Sequence, residues 1–210
     1  MTTGAMTDRI TGAVTGAILA GGLSRRMGFN KAHIKLGGQT VLERNIKIFA
    51  GIFAETMVVT SLDTPYTGLP ARVVTDIHPG AGSLGGIYTA LFHSDGPVFV
   101  AACDMPGLDP EAIRAVIKAS EIDMEFDVCI PFIEGREHPM HALYRPSCLK
   151  PILTMIEAGR LRVSGLLKEL RVLRLTDENF KEIAIAASVA NINTPEELKG
   201  IKGAQRPDGE

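Results

Sequence analysis

A chain of 210 residues, 45% apolar and 22% charged, can bury one generous core or at most two small ones. Its formal charge of -2 argues against duplex nucleic acid as a partner, and the lack of tryptophan with only 5% aromatics argues against a stacking platform for single strands. Three cysteines, Cys103, Cys129 and Cys148, without C-x-x-C spacing, point to a reducing compartment and away from structural zinc. No run of about 18 apolar residues is present, so no membrane span is expected. Met1–Ile10 lacks the basic start and apolar core of a secretory signal, so a cytoplasmic protein is expected.

Val14–Ala20 is an apolar run broken at Gly21-Gly22 and reads as a buried strand. Ala32–Leu36 is a short extended piece that turns at Gly37-Gly38. Thr40-x-x-Glu43 forms a capping box, and Leu42, Ile46, Phe49 and Phe53 share one face of the helix it opens. Met57–Thr60 reads as the second strand. Arg72–Thr75 reads as the third and stops at Asp76. A glycine-rich loop, Ile77–Gly86, leads into a helix that starts at Leu84 or Gly85 and runs to Phe92. Pro97–Ala102 is a strand ending near Asp104, and Pro110 opens a helix to about Ser120.

Asp127–Pro131 and His141–Tyr144 read as strands, and Ser147–Glu157 and Val163–Leu170 as helices. Val172–Leu175 is a short strand, and Thr194 caps a terminal helix over Pro195–Lys199. The alternation predicts an α/β fold, doubly wound, with a mostly parallel sheet and helices on both faces. No proline- or serine-rich linker divides it, so 13–202 is expected to be a single domain. Residues 1–12 and 203–210, polar and glycine-rich, are expected to be disordered extensions.

In such a sheet, ligands bind beyond the carboxyl ends of the strands. Gly21, Asp76 and Asp104 each lie just past one. Gly21 and Gly22 allow a ligand close to the main chain, and bare N–H groups there make an anion site. Arg25, Arg26 and Lys31 follow, two guanidinium forks and a point charge for phosphate oxygens. This is neither a Walker A loop nor a dinucleotide fingerprint. A turn with solvated arginines is the plainer alternative. Asp104, at the end of a buried strand, is costly unless paired or metal-bound, and Mg²⁺ is usually held by one or two carboxylates plus phosphates. The plainer alternative is a turn aspartate satisfied by local N–H groups, and the same choice faces Asp76. Gly80–Gly86 opens a helix, and helix N-termini favour anions.

The string LAGG-x-S-x-RMG-x-x-K resembles the signature of nucleotidyltransferases that activate sugars and cofactors with a nucleoside triphosphate. Within that superfamily it is most similar to the molybdenum cofactor guanylyltransferases. Cys103-Asp104-Met105-Pro106 resembles their metal-binding C-D-x-P. Gly82-Ser83-Leu84-Gly85-Gly86 resembles G-P-L-G-G with Ser83 for proline. His138-Pro139-Met140-His141-Ala142-Leu143-Tyr144 resembles H-P-x-x-A-L-Y, Arg160-Leu161-Arg162-Val163 resembles a basic turn before a helix, and Asn191–Leu198 resembles N-x-N-T-P-E-E-L. The resemblance spans roughly Gly16 to Lys199.

The resemblance implies transfer of GMP from GTP to the phosphate of molybdenum-bound molybdopterin, with pyrophosphate leaving and Mg²⁺ as cofactor. It implies Lys31, Arg25 and Asp104 as catalytic, Asp104 also as the metal ligand. Leu19, Ala20, Gly21, Gly22, Lys31, Thr60, Asp76, Gly82 and Asp104 would bind nucleotide, and His138, Arg160 and Asn193 the acceptor. GTP and molybdopterin are the implied partners, with molybdenum-insertion proteins and molybdoenzymes as candidate recipients. Thr60 stands where the family often has an asparagine reading the base, which leaves guanine against cytosine open. A cytidylyltransferase on the same pterin, a sugar-phosphate nucleotidyltransferase and a non-catalytic nucleotide carrier are the rival readings.

Overall fold

The computed structural model describes residues 14–21, 34–61, 66, 68–122, 125–192, 197 and 204–205. Gly22, Arg25, Lys31, Asn193 and the extension 1–12 lie outside the described residues, as does most of the expected terminal helix.

The chain order begins β1 (Thr15–Leu19), β2 (Lys35–Leu36), β3 (Gln39–Thr40), α1 (Val41–Ala50), β4 (Thr56–Thr60), β5 (Arg72–Thr75), α2 (Ser83–Phe92) and β6 (Val98–Ala102). It continues with α3 (Pro110–Ile122), β7 (Val128–Ile133), β8 (Arg136–Glu137), β9 (His141–Tyr144), α4 (Leu149–Glu157), α5 (Val163–Leu166), β10 (Val172–Leu175), α6 (Ile185–Ser188) and β11 (Ala204–Gln205). Among the described residues the main sheet runs β10-β7-β9-β6-β1-β4-β5, with β8 paired to β7. β6, β1, β4 and β5 are mutually parallel, as are β7 and β10. β9 runs antiparallel to both β6 and β7, and β8 antiparallel to β7, so these two are reversed in a sheet that is mostly parallel, as its alternation pointed to. The reversal follows from the connection. β7 turns back at Glu134 and Gly135, both at positive φ, into a hairpin that delivers the chain to β9 from the strands' carboxyl edge.

Side chains alternate between two cores. Ile18, Phe99 and Ala101 face α1 and α3 on one side, while Ala17, Val98 and Val100 face α2 and α4 on the other. α1 begins as its capping box dictates. Thr40 N donates to Glu43 Oε2 at 2.8 Å, and Glu43 N donates to Thr40 Oγ1 at 3.1 Å. Phe49 on its apolar face and Phe53, just past its end, pack against each other at 5.0 Å between ring centroids and against Phe99 at 6.0 and 5.9 Å, each pair contributing about 1 kcal/mol beyond burial. Gly16 of β1 lies under these rings. A Cβ there would come within 2.3 Å of Phe53, so only glycine lets the helix settle on the strand. The helices expected over Ser147–Glu157 and Val163–Leu170 are shorter, because Pro146–Cys148 is a 3₁₀ turn and α5 ends at Leu166. Ala204–Gln205, inside the tail read as disordered, pair antiparallel with Lys35–Leu36. Among the described residues no helix is long and apolar enough to cross a membrane.

Candidate active site

The parallel strands fall in the order β5-β4-β1-β6. The chain moves outward from β1 to β4 and β5 and then returns to the other side of β1. The strand order therefore reverses between β1 and β6, and such a point opens a crevice at the carboxyl edge. Gly21 and Asp104 follow these two neighbouring strands. Cys103 N donates to the Leu19 carbonyl at 3.1 Å, which carries the β1–β6 ladder up to the lip of the crevice. On the other side, Ala20 N donates to the Val59 carbonyl at 2.8 Å. The Leu19 carbonyl and the Ala20 amide thus have ladder bonds already. A Cβ on Gly21 would sit 3.1 Å from Ser61 N, so the glycine loop lies against the end of β4. Thr60 is 3% exposed and its hydroxyl donates to the Ser61 carbonyl at 3.3 Å. Its side chain is turned into the protein.

Asp76, past β5, has a clear local task. Its Oδ1 accepts from His78 N at 2.9 Å and from Thr89 Oγ1 at 3.1 Å, while Thr89 Oγ1 accepts from Ile77 N at 3.0 Å. The carboxylate therefore folds the loop back over α2 in an Asx turn. Gly85 makes room for it, since a Cβ there would lie 3.0 Å from both carboxylate oxygens. Gly82, at φ 61 and ψ -140, starts α2 without a side-chain cap, leaving first-turn N–H groups at the crevice side of the sheet. α2 also presses on β1, because a Cβ on Gly86 would meet Leu19 at 2.9 Å. Adjacent strands are about 4.8 Å apart, so Asp76 and Asp104, three strands from each other, are separated by roughly 14 Å. The two carboxylates cannot share one ion, but a nucleotide can span them.

Asp104 is half-buried, with Oδ1 shut off from solvent. Its carbonyl accepts from Ile192 N at 3.0 Å, which brings the Asn191 end of the N-x-N-T-P segment against the C-D-x-P loop. Among the described residues no group of three or more His, Cys, Asp or Glu side chains could hold a metal. One carboxylate beside the crevice is the donor set of a Mg²⁺ ion that would take its remaining ligands from substrate and water.

Because β9 is reversed, its first residues join the same edge. His138 N donates to the Pro131 carbonyl at 3.0 Å, and burial pushes the His138 imidazole below its ordinary pKa. Arg174 grips Glu137 with two bonds, 2.9 and 2.7 Å, tying β10 to the β7–β8 hairpin. Arg160 is exposed and pairs with Glu169. The edge thus has two halves. The ends of β1, β4 and β5 and the start of α2 make one, the β7–β9 hairpin and β10 the other, and Asp104 stands between them. Sequence reasoning passed over His141 and Ser188, which bond to each other 2.9 Å apart behind the Asp104 loop. Their separation along the chain leaves no local signal.

Residues 16–174 match the MobA-like NTP transferase domain family. The chain is 37% identical over 196 residues to a "Probable molybdenum cofactor guanylyltransferase" of Natranaerobius thermophilus, covering 90% of this chain and 95% of that protein. It is 33% identical over 195 residues to the "Molybdenum cofactor guanylyltransferase" of Desulfosudis oleivorans, covering 91% and 96%. Among solved structures it is similar to the molybdopterin-guanine dinucleotide biosynthesis protein A of Archaeoglobus fulgidus, with TM-score 0.77, 30% identity, and 89% and 95% of the two chains covered.

Proposed function

The chain belongs to the MobA-like NTP transferase family, and from that premise we propose that it transfers GMP from GTP to the terminal phosphate of molybdenum-bound molybdopterin. An acceptor phosphate oxygen attacks the α-phosphorus, the bond from that phosphorus to the β-phosphate oxygen breaks, and pyrophosphate leaves with the electron pair. The nucleophile is already an anion, so the reaction calls for alignment and charge neutralisation and no strong general base. The observation that carries this reading is the position of Asp104 beside Gly21 at the strand-order reversal, between the two halves of the edge.

In this reading the Gly21 turn and the first turn of α2 receive base and phosphates, and Arg25 and Lys31 neutralise the leaving pyrophosphate. Asp104 would hold Mg²⁺, which when bound supplies charge neutralisation across the reacting phosphates. His138 and Asn193 are the residues that bind the acceptor. Arg160 joins them by exchanging its Glu169 partner for the acceptor phosphate. The relatives' names support guanine and the pterin acceptor; with the Thr60 side chain turned inward, guanine is selected by main-chain groups.

The test compares thermal stabilisation by GTP, CTP, ATP and UTP with Mg²⁺, alongside pyrophosphate release with molybdenum-bound molybdopterin. The expected result is a shift with GTP well above the other three, growing with concentration by mass action, and pyrophosphate release that requires acceptor. Equal shifts for all four, or no release, would overturn the reading.

A further inference from the structure

The loop that carries Asp104 is strapped down by a segment to which the proposed reaction gives no task. Residues 185–192 cross behind it and hold it at both ends. At one end, Ile192 N donates to the Asp104 carbonyl at 3.0 Å. At the other, Asp109 N donates to Ser188 Oγ at 3.0 Å. Between them the Ala187 carbonyl lies so close to Gly107 that a Cβ there would come within 2.4 Å. Ile185 and Val189 sink into the same core as Met105 and Leu108.

Ser188 is itself fixed by His141, the first residue of β9, whose Nε2 lies 2.9 Å from Ser188 Oγ. His141 is 0% exposed, its ring set edge-on to Phe99 at 5.1 Å. His141 Nδ1 has no hydrogen-bond partner among the described residues, so the ring's polar contact is the one Nε2 shares with Ser188 Oγ. Ser188 Oγ also accepts from Asp109 N–H. His141 thus holds the Ser188 hydroxyl, and the hydroxyl holds the Asp109 end of the loop.

We propose that His141 is a positioning residue: through Ser188 it fixes the 104–109 loop so that Asp104 stands in register with the Gly21 turn for nucleotidyl transfer. This rests on the reading of Asp104 given above. The chemistry lies on one side of the loop and the clamp on the other, and β9 joins them because it is a reversed strand.

The experiment uses the full chain and the variants Ser188→Ala, His141→Leu and His141→Gln. Amide hydrogen exchange is followed at Asp109 and Ile192, and kcat and KM for GTP are measured with the pterin acceptor. In Ser188→Ala and His141→Leu both amides are expected to exchange at least about tenfold faster, and kcat to fall about tenfold with KM within about twofold, as misplacement of a reacting group requires. The amide end of glutamine lies where Nε2 was, so His141→Gln is expected to restore kcat to within about threefold of the original. Unchanged exchange in Ser188→Ala, unchanged kcat despite faster exchange, or a His141→Gln as slow as His141→Leu would each overturn the proposal. Ser188→Ala removes one oxygen and keeps the test sound where His141→Leu does not fold. An original chain without transferase activity sinks the functional reading and this role with it, and the exchange arm alone then reports whether the clamp exists.

Discussion

Asp76 follows the exposed edge strand β5 and Asp104 the buried strand β6, and their surroundings give them different work. Asp76 Oδ1 accepts two hydrogen bonds from its own loop and helix, which an amide oxygen can accept equally well. Asp76→Asn is expected to change stability by less than about 0.5 kcal/mol, and Asp76→Ala to cost about 1–2 kcal/mol, as loss of a buried acceptor does. Urea unfolding of the two variants separates these outcomes; equal losses would show that the charge itself holds the loop. Asp104 stands at the crevice, where its charge is what a bound cation needs. Asp104→Asn is expected to lower kcat by about a hundredfold or more with an unchanged Tm, and pyrophosphate release at saturating GTP and Mg²⁺ checks it. A variant within about threefold of the original would remove Asp104 from the chemistry.

α2 is the element on which the nucleotide half depends, and its start is built from glycines that leave space for other groups. At Gly85 a Cβ would lie 2.8 Å from the His78 carbonyl and 3.0 Å from both Asp76 oxygens. Gly85→Ala is therefore expected to cost about 1–3 kcal/mol by overpacking and to weaken GTP binding, since relief comes only by moving the first turn of α2. Calorimetric titration with GTP and a melting curve measure both, and unchanged affinity would mean that the helix start does not face the nucleotide. Elements of this kind were legible in the sequence where the signal is local. Arg72–Thr75 ends where its β-branched run ends, and the Thr40 cap opens α1 as its spacing says. The C-D-M-P segment was legible as a turn past β6 for the same reason. The direction of β9 was not, because a short apolar run reads alike in a parallel or an antiparallel pair. α6 was also missed, since four residues carry no helical period. The Ser188–Asp109 bond joins positions 79 apart and leaves no trace in either neighbourhood.

At the scale of the whole molecule, acid is the condition most damaging to this arrangement. Burial lowers the His141 pKa from 6.5 to about 4, and burial lowers that of His138 too. The unfolded chain takes up the His141 proton near 6.5, the native chain only near 4, so between these values the unfolded state binds more protons. Stability is therefore full above pH 6.5 and is lost as pH falls toward 4, by roughly 3 kcal/mol for His141 alone. Urea midpoints measured from pH 7 to pH 4 should fall more steeply for the original chain than for His141→Leu, and parallel slopes would contradict the burial of a neutral imidazole. The same segment carries a further consequence. Tyr144 is fully buried and its hydroxyl donates to the Pro139 carbonyl at 2.8 Å, between His138 and His141. The sequence has three tyrosines and no tryptophan. Fluorine introduced on the tyrosine rings would thus yield a spectrum of very few lines, one of them a reporter at the start of β9, beside the proposed acceptor half.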